Sequence, residues 1–165
     1  MKVLVTGGTG KVGRCAVARL VQNGHHVTVI GRRADMQIEG GTYRACDITN
    51  YASVREKVTG MDAIVHLAAI PTPGGASSET IFEINCAGTF NIYQAAAEAD
   101  IRRVVNASSI NALGFHYATQ PCEISYFPID EAHPCVATDP YSFSKHVVED
   151  TAAYFWRREG ISGVS

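Results

Sequence analysis

Short apolar runs alternate along this chain with longer stretches in which apolar residues recur at helical spacing, and no internal repeat or low-complexity tract interrupts the rhythm. A short run bounded by turn residues suits a strand covered on both faces, and a longer amphipathic stretch suits a helix lying on the sheet. Their alternation predicts βαβ units and a parallel sheet. The strands fall at Val3 to Val5, Val27 to Ile30, Thr42 to Ala45, Ala63 to Leu67 and Arg103 to Ala107. The helices fall at Lys11 to Gln22, stopped by Asn23-Gly24, at Tyr51 to Val58, capped by Thr49 or Asn50, and at Ser78 to Ala99. A last helix begins at Pro140, where a helix start tolerates proline, and runs through Tyr141 to Glu159. The stretch from Ser109 to Pro140, with Pro121, Pro128, Pro134 and Pro140, is too broken for regular structure. A loop of that length in a compact domain is usually functional. Gly160 to Ser165 reads as the turn into a sixth strand that stops as it starts. The chain therefore reads as the first part of a longer protein, its further sheet strands and substrate domain absent, and an open edge is expected at the fifth strand.

A chain of 165 residues is one domain, long enough to bury a core. Its net charge of −2 and its scattered basic residues exclude a nucleic-acid footprint. No apolar run reaches bilayer length, so no membrane partner is expected, and Met1 to Val5 is a buried strand rather than a leader. The five cysteines lack C-x-x-C spacing, which indicates reduced thiols and a cytoplasmic location rather than disulfides or zinc. The six histidines form no H-x-x-x-H pattern, and no metal is expected.

Gly7, Gly10 and Gly13 form G-x-x-G-x-x-G between the first strand and the first helix. Glycines there permit a tight turn and let the backbone approach a pyrophosphate, which rests on the helix start at Lys11, Val12 and Gly13. A glycine-rich turn without a ligand is the plain alternative, and the strand before and helix after argue against it. The acidic residue that would hold the ribose 2′-hydroxyl of NAD is expected roughly 20 residues past the loop. Gly31 stands there, followed by Arg32 and Arg33. Guanidinium groups at that place suit the 2′-phosphate of NADP, so the cofactor reading is NAD(P), leaning to NADP. Arg32 and Arg33 read equally well as solvated loop charges. Asp47 and Ile48 follow the third strand, where Asp47 either accepts the adenine amino group or caps the next helix.

Tyr141 and Lys145 stand one helical turn apart. A phenol is a poor base in water, titrating near ~10, and an ammonium on the same helix face favours its ionised form. The pair is what oxidation of a hydroxyl to a ketone needs; a helix-surface contact is the plain alternative.

Five segments together resemble the extended short-chain dehydrogenase/reductase family, in its NAD(P)-dependent epimerase/dehydratase branch. They are Thr6 to Gly13, His66-Leu67-Ala68-Ala69, Asn85-Cys86-Ala87-Gly88-Thr89-Phe90-Asn91, Ala107-Ser108-Ser109 and Tyr141-Ser142-Phe143-Ser144-Lys145, in the family's order over nearly the whole chain. The resemblance implies a Rossmann-like doubly wound parallel sheet of which residues 1–165 are an incomplete NAD(P)-binding domain. It implies Tyr141 as general acid/base, Lys145 as the group that lowers its pKa and holds the nicotinamide ribose, and Ser109, rather than Ser108, on the reacting oxygen. Leu67, Ala68 and Ala69 would pass the cofactor, and Asn85 would order the site from its helix or merely brace that helix. His66 reads as a satisfied core histidine. His116, Tyr117, His133 and Cys135 receive no role.

The departures narrow the activity. Family dehydratases place an Asp-Glu pair after the serine, and this chain has Ile110-Asn111, which disfavours dehydration. The missing acid at Gly31 departs from the epimerases that retain NAD and favours a dissociable NADP. The implied function is an oxidoreductase-type enzyme, epimerase or dehydrogenase, acting on a hydroxyl or ketone of a sugar or nucleotide sugar. A non-catalytic dinucleotide sensor, or an inactive remnant, is the alternative. A homodimer through the helices from Ser78 to Ala99 and from Tyr141 to Glu159 is the family's expectation.

Overall fold

The computed structural model describes residues 1–164. Six strands, β1 (Lys2–Thr6), β2 (His26–Gly31), β3 (Thr42–Ala45), β4 (Ala63–His66), β5 (Arg103–Asn106) and β6 (Ser162–Val164), form one sheet in the order β3-β2-β1-β4-β5-β6. Every neighbouring pair is parallel. The strand order reverses between β1 and β4, and a crevice opens at such a point, outside the carboxyl ends of the strands.

Period-two alternation sends the two sides of each strand into different cores. Val3, Val5, Val27 and Val29 pack with Val17 of α1 (Lys11–Gln22). Leu4, Ile30, Ile64 and Val104 pack on the opposite face. That second face is covered by α2 (Tyr51–Val58), α4 (Gly88–Glu98) and α5 (Pro140–Glu159), with Tyr93 and Phe155 fully buried. On the α1 side the cover runs out beyond β4, and Val105 of β5 is left 48% exposed. Ring faces also stay open along the helices: Phe82 stacks on Phe143 with centroids 6.1 Å apart, both about half exposed, and Phe90, stacked on Tyr154, continues the strip. Among the described residues, no helix is long and apolar enough to cross a membrane.

Three expectations change. The sixth strand is present and pairs along β5, so the open edge belongs to β6 and not to the fifth strand. The helix expected from Ser78 to Ala99 is broken by a wider turn: α3 (Ser78–Phe82) passes through a π-helical segment, Glu83–Ala87, into α4. The loop from Ser109 to Asp139 contains a short 3₁₀ helix, Ile110–Leu113. The rest of that loop is organised by contacts distant in sequence. Val136 N–H reaches Leu113 O at 2.9 Å, Thr119 pairs twice with Thr138, and buried His133 accepts Ser125 N–H at Nε2 between the rings of Phe115 and Tyr126.

Candidate active site

The glycine loop is shaped by close backbone approach. A Cβ on Gly13 would lie 2.2 Å from Gly7 O, and one on Gly7, whose φ is +66°, would lie 2.7 Å from Ala68 N. Neither position has room for a side chain, so α1 begins hard against the turn. Gly10 precedes α1 with no side-chain cap, which leaves the first N–H groups of the helix for an anion. These are the features a dinucleotide pyrophosphate requires.

A cleft of about 330 Å³ runs outward from this loop. It brings together Gly7, Gly10, Arg32, Arg33, Asp47, Ile48, Leu67, Ala68 and Ala69 of the expected cofactor residues. Gly13 sits behind the wall, and Lys11 and Val12 are exposed at the helix start outside the cleft. The cleft also holds Tyr43, which sequence reasoning missed; its hydroxyl donates to Arg33 O at 3.0 Å. A Cβ on Gly31 would lie 3.0 Å from that hydroxyl, so the tyrosine occupies the place where an acidic side chain would stand.

Asp47 is not the cap of α2. Asn50 takes that place, accepting Ser53 N–H at 3.0 Å, while Asp47 Oδ1 accepts both the N–H and the hydroxyl of Thr49 at 2.9 Å. Asn91 of α4 donates to Ile48 O and Thr49 O and so fixes this wall from behind. Gly88 makes room for Ile48, whose Cδ1 would lie 2.7 Å from a Cβ there.

At the switch point, a buried network ties β1 to β4 and to the helices. Thr89 Oγ1 donates to Asn85 O at 2.5 Å, so it accepts from His66 Nε2 at 2.9 Å. The hydrogen therefore sits on Nε2, and Nδ1 accepts from Thr6 Oγ1 at 2.7 Å. Thr6 Oγ1 in turn accepts Leu67 N–H and Ala68 N–H. Every polar atom of the ring is satisfied. Burial and then the nearby Lys145 push His66 down to about 3, which keeps the ring neutral. It is a structural clamp.

Asn85, on the π-helical segment, accepts Ile70 N–H at 2.8 Å and donates to Ile70 O at 3.1 Å and Ser144 Oγ at 2.9 Å. Ser144 Oγ donates onward to Tyr141 O. Asn85 thus links the segment leaving β4 to the first turn of α5. The same helix turn presses Cys86 against Ser144, and burial pushes that thiol up to about 11, so it is not poised as a nucleophile.

The helix α5 starts cleanly because Asp139 accepts Ser142 N–H at 2.9 Å and Pro140 fills the first turn. Its buried face carries Tyr141, Ser144 and Lys145. Lys145 is only 5% exposed, and its Nζ donates to Ala107 O at 2.6 Å. Burial lowers its pKa, with Glu149 opposing that shift. Tyr141 lies edge-on to Tyr117, a residue of the long loop, at 5.9 Å. Ser109 opens the 3₁₀ turn and accepts Asn111 N–H, whereas the Ser108 hydroxyl donates to Glu149 Oε1. Of the two serines, Ser109 is thus the one not taken up by α5.

Residues 3–165 match the NAD dependent epimerase/dehydratase family. The L-arabinose 1-dehydrogenase (NAD(P)(+)) of Haloferax volcanii is 33% identical over 97% of this chain and 63% of its own length. The uronate dehydrogenase of Pseudomonas syringae pv. tomato is 30% identical over 99% of this chain and 57% of its own. The crystal structure of a glucuronic acid dehydrogenase from Chromohalobacter salexigens superposes with a TM-score of 0.80 at 25% identity, covering 99% of this chain and 59% of that one. Further relatives are UDP-glucose 4-epimerases. This chain therefore spans less than two thirds of the length of each of these three dehydrogenases, and it belongs to the NAD dependent epimerase/dehydratase family.

Proposed function

We propose that this chain is the cofactor-binding and catalytic part of a pyridine-nucleotide-dependent dehydrogenase that oxidises a hydroxyl of a sugar and releases its cofactor, NADP in preference to NAD. One observation carries the reading. The helix that presents Tyr141 also buries Lys145 and ties it to Ala107 O beyond the carboxyl end of β5, beside the crevice where the glycine loop would seat a dinucleotide. Bound there, the nicotinamide supplies the hydride acceptor. Tyr141 takes the proton of the substrate hydroxyl in oxidation and returns it in reduction. Ser109 hydrogen-bonds the same oxygen, and Lys145, with one of its three N–H donors on Ala107 O, keeps the others for the ribose and the phenol side of the site. Arg32 and Arg33 flank the cleft where a 2′-phosphate would lie, and Tyr43 fills the space of the carboxylate that would repel it. The unpaired cysteines suit a reducing, cytoplasmic compartment. The strip of Phe82, Phe90, Phe143 and Tyr154 suits a second copy packing on α4 and α5.

An epimerase, which oxidises and re-reduces one carbon with a retained cofactor, is the second reading, favoured by the UDP-glucose 4-epimerase relatives. A sensor has no use for a buried Lys145 beside Tyr141.

The test incubates the whole protein with NADP⁺ or NAD⁺ and with L-arabinose, glucuronic acid or UDP-glucose. Reduced nucleotide is expected with a free sugar, and Tyr141→Phe lowers turnover by roughly 10²- to 10⁴-fold while NADPH binding is kept. Full activity in that variant overturns the assignment. Conversion of UDP-glucose without net reduction, with nucleotide copurifying, selects the epimerase.

A further inference from the structure

The segment leaving β5 is gripped by α5 at two consecutive residues. Lys145 Nζ holds Ala107 O at 2.6 Å, and Glu149 Oε1 holds the Ser108 hydroxyl. Lys145 and Glu149 are one turn apart, so the two grips lie on one helix face. The next residue is Ser109, whose backbone is extended at φ −159° and ψ 146°. Successive side chains of an extended segment leave on opposite sides, so holding Ser108 against α5 turns Ser109 away from it. Ser109 then begins the 3₁₀ turn that leads into the long loop.

A neutral acceptor would satisfy Ser108 as well as a carboxylate does. The charge has a second use. Lys145 is buried, and an ammonium out of water is costly unless it has a counter-charge. The groups around it are Cys86 on the π-helical segment, neutral His66 on β4 and Glu149 on its own helix. Glu149 is the acid among them, and it is partly buried rather than a solvated helix-surface charge.

We propose that Glu149 is a positioning residue of this site: by accepting the Ser108 hydroxyl next to the Lys145–Ala107 bond, its carboxylate fixes the turn after β5, aims Ser109 at the substrate oxygen and balances the buried ammonium. The proposal rests on the roles given above to Tyr141, Lys145 and Ser109.

Its test compares Glu149→Ala, Glu149→Gln and Ser108→Ala in the whole protein. Glu149→Ala is expected to lower kcat for the sugar that is turned over by about 10- to 100-fold, with KM and NADPH affinity held within about twofold. Glu149→Gln keeps an oxygen for Ser108 and restores most of kcat. Ser108→Ala, the milder change if the others fold poorly, lowers kcat by roughly 3- to 10-fold through the same lost contact. The charge is read separately by NMR of lysine Nζ. In both Glu149 variants the Lys145 ammonium is expected to lose its proton at lower pH than in the parent, because the charge that opposes its burial is gone. Undiminished kcat in Glu149→Ala, or a Gln variant as impaired as the Ala variant, overturns the positioning role. An unmoved Lys145 titration overturns the counter-charge by itself. A fully active Tyr141→Phe would instead remove the functional reading, and the Lys145 titration would still decide the role of Glu149.

Discussion

The glycine loop and the corner between β5 and α5 build their halves of the site in opposite ways. In the loop the backbone is the working part, and side chains are missing because they have no room: Gly13 lies against Gly7 O, and Gly7 against Ala68 N. At the corner the backbone is ordinary, and polar side chains from one buried helix face reach across to hold a strand end. A surface made of backbone is broken by a single added atom. A corner held by side chains is broken by removing a charge or a hydroxyl, which leaves the fold in place.

The largest effect expected on the loop side is that of Gly13→Ala. The methyl group meets a carbonyl oxygen at 2.2 Å, an atom that cannot move without the turn moving. NADPH affinity is expected to fall at least ~100-fold and stability by about 1–3 kcal/mol, the range of overpacked cores. Gly24→Ala is the control. Its φ of +75° is strained, yet nothing lies within 4 Å of the added carbon, so it costs about 1–2 kcal/mol and leaves binding intact. Fluorescence titration and urea unfolding of the two variants separate a steric role from a conformational one. Equal losses of affinity would mean that the close approach is not what shapes the site.

The same contrast explains what could be read from the sequence. Glycines at fixed spacing after an apolar run are rare enough to stand out, and Tyr141 with Lys145 shows as a pair because helical spacing is regular. Five of the strands, their parallel arrangement and the helix bounds at Lys11–Gln22 and Tyr51–Val58 follow from the apolar rhythm; the strand order does not. The π-helical segment does not, because one extra residue in a turn leaves the apolar pattern of 78–99 almost unchanged; yet it is the segment from which Asn85 reaches Ile70 and Ser144. Tyr43 at the cleft, Glu149 behind Ser108 and His133 within the long loop were equally silent. Glu149 meets a partner far away in the sequence, Tyr43 and His133 meet theirs across irregular chain, and no local period encodes such meetings.

A smaller effect tests the clamp between the two halves. His66 is neutral in the folded chain, with its pKa pushed down to about 3 by burial and then by Lys145, against an ordinary value of 6.5. The unfolded chain therefore binds one more proton between those limits. Stability from this group is complete above about pH 6.5 and is lost as pH falls toward 3. Urea midpoints at neutral and acid pH should diverge less in His66→Gln than in the parent. Parallel curves would show that the Thr6–His66–Thr89 network does not exclude the proton.

The smallest effect concerns charge at the rim of the loop, where the backbone half acquires side-chain chemistry. Arg32 and Arg33 are exposed, so an ion pair with a 2′-phosphate is screened and modest. Arg33 is the better fixed of the two, because Tyr43 holds its carbonyl oxygen and its guanidinium rests 3.6 Å from Met36 Sδ. Arg33→Ala is expected to weaken NADPH about tenfold, Arg32→Ala less, and neither to change NADH. The ratio of the two affinities, measured by fluorescence titration at one fixed ionic strength, isolates the phosphate from the rest of the cofactor. A ratio unmoved by both substitutions would make the arginines solvated loop charges. Preference would then have to come from Tyr43 alone, through the acidic side chain it keeps out, and Tyr43→Ala combined with Gly31→Asp would be the variant that turns the site toward NADH.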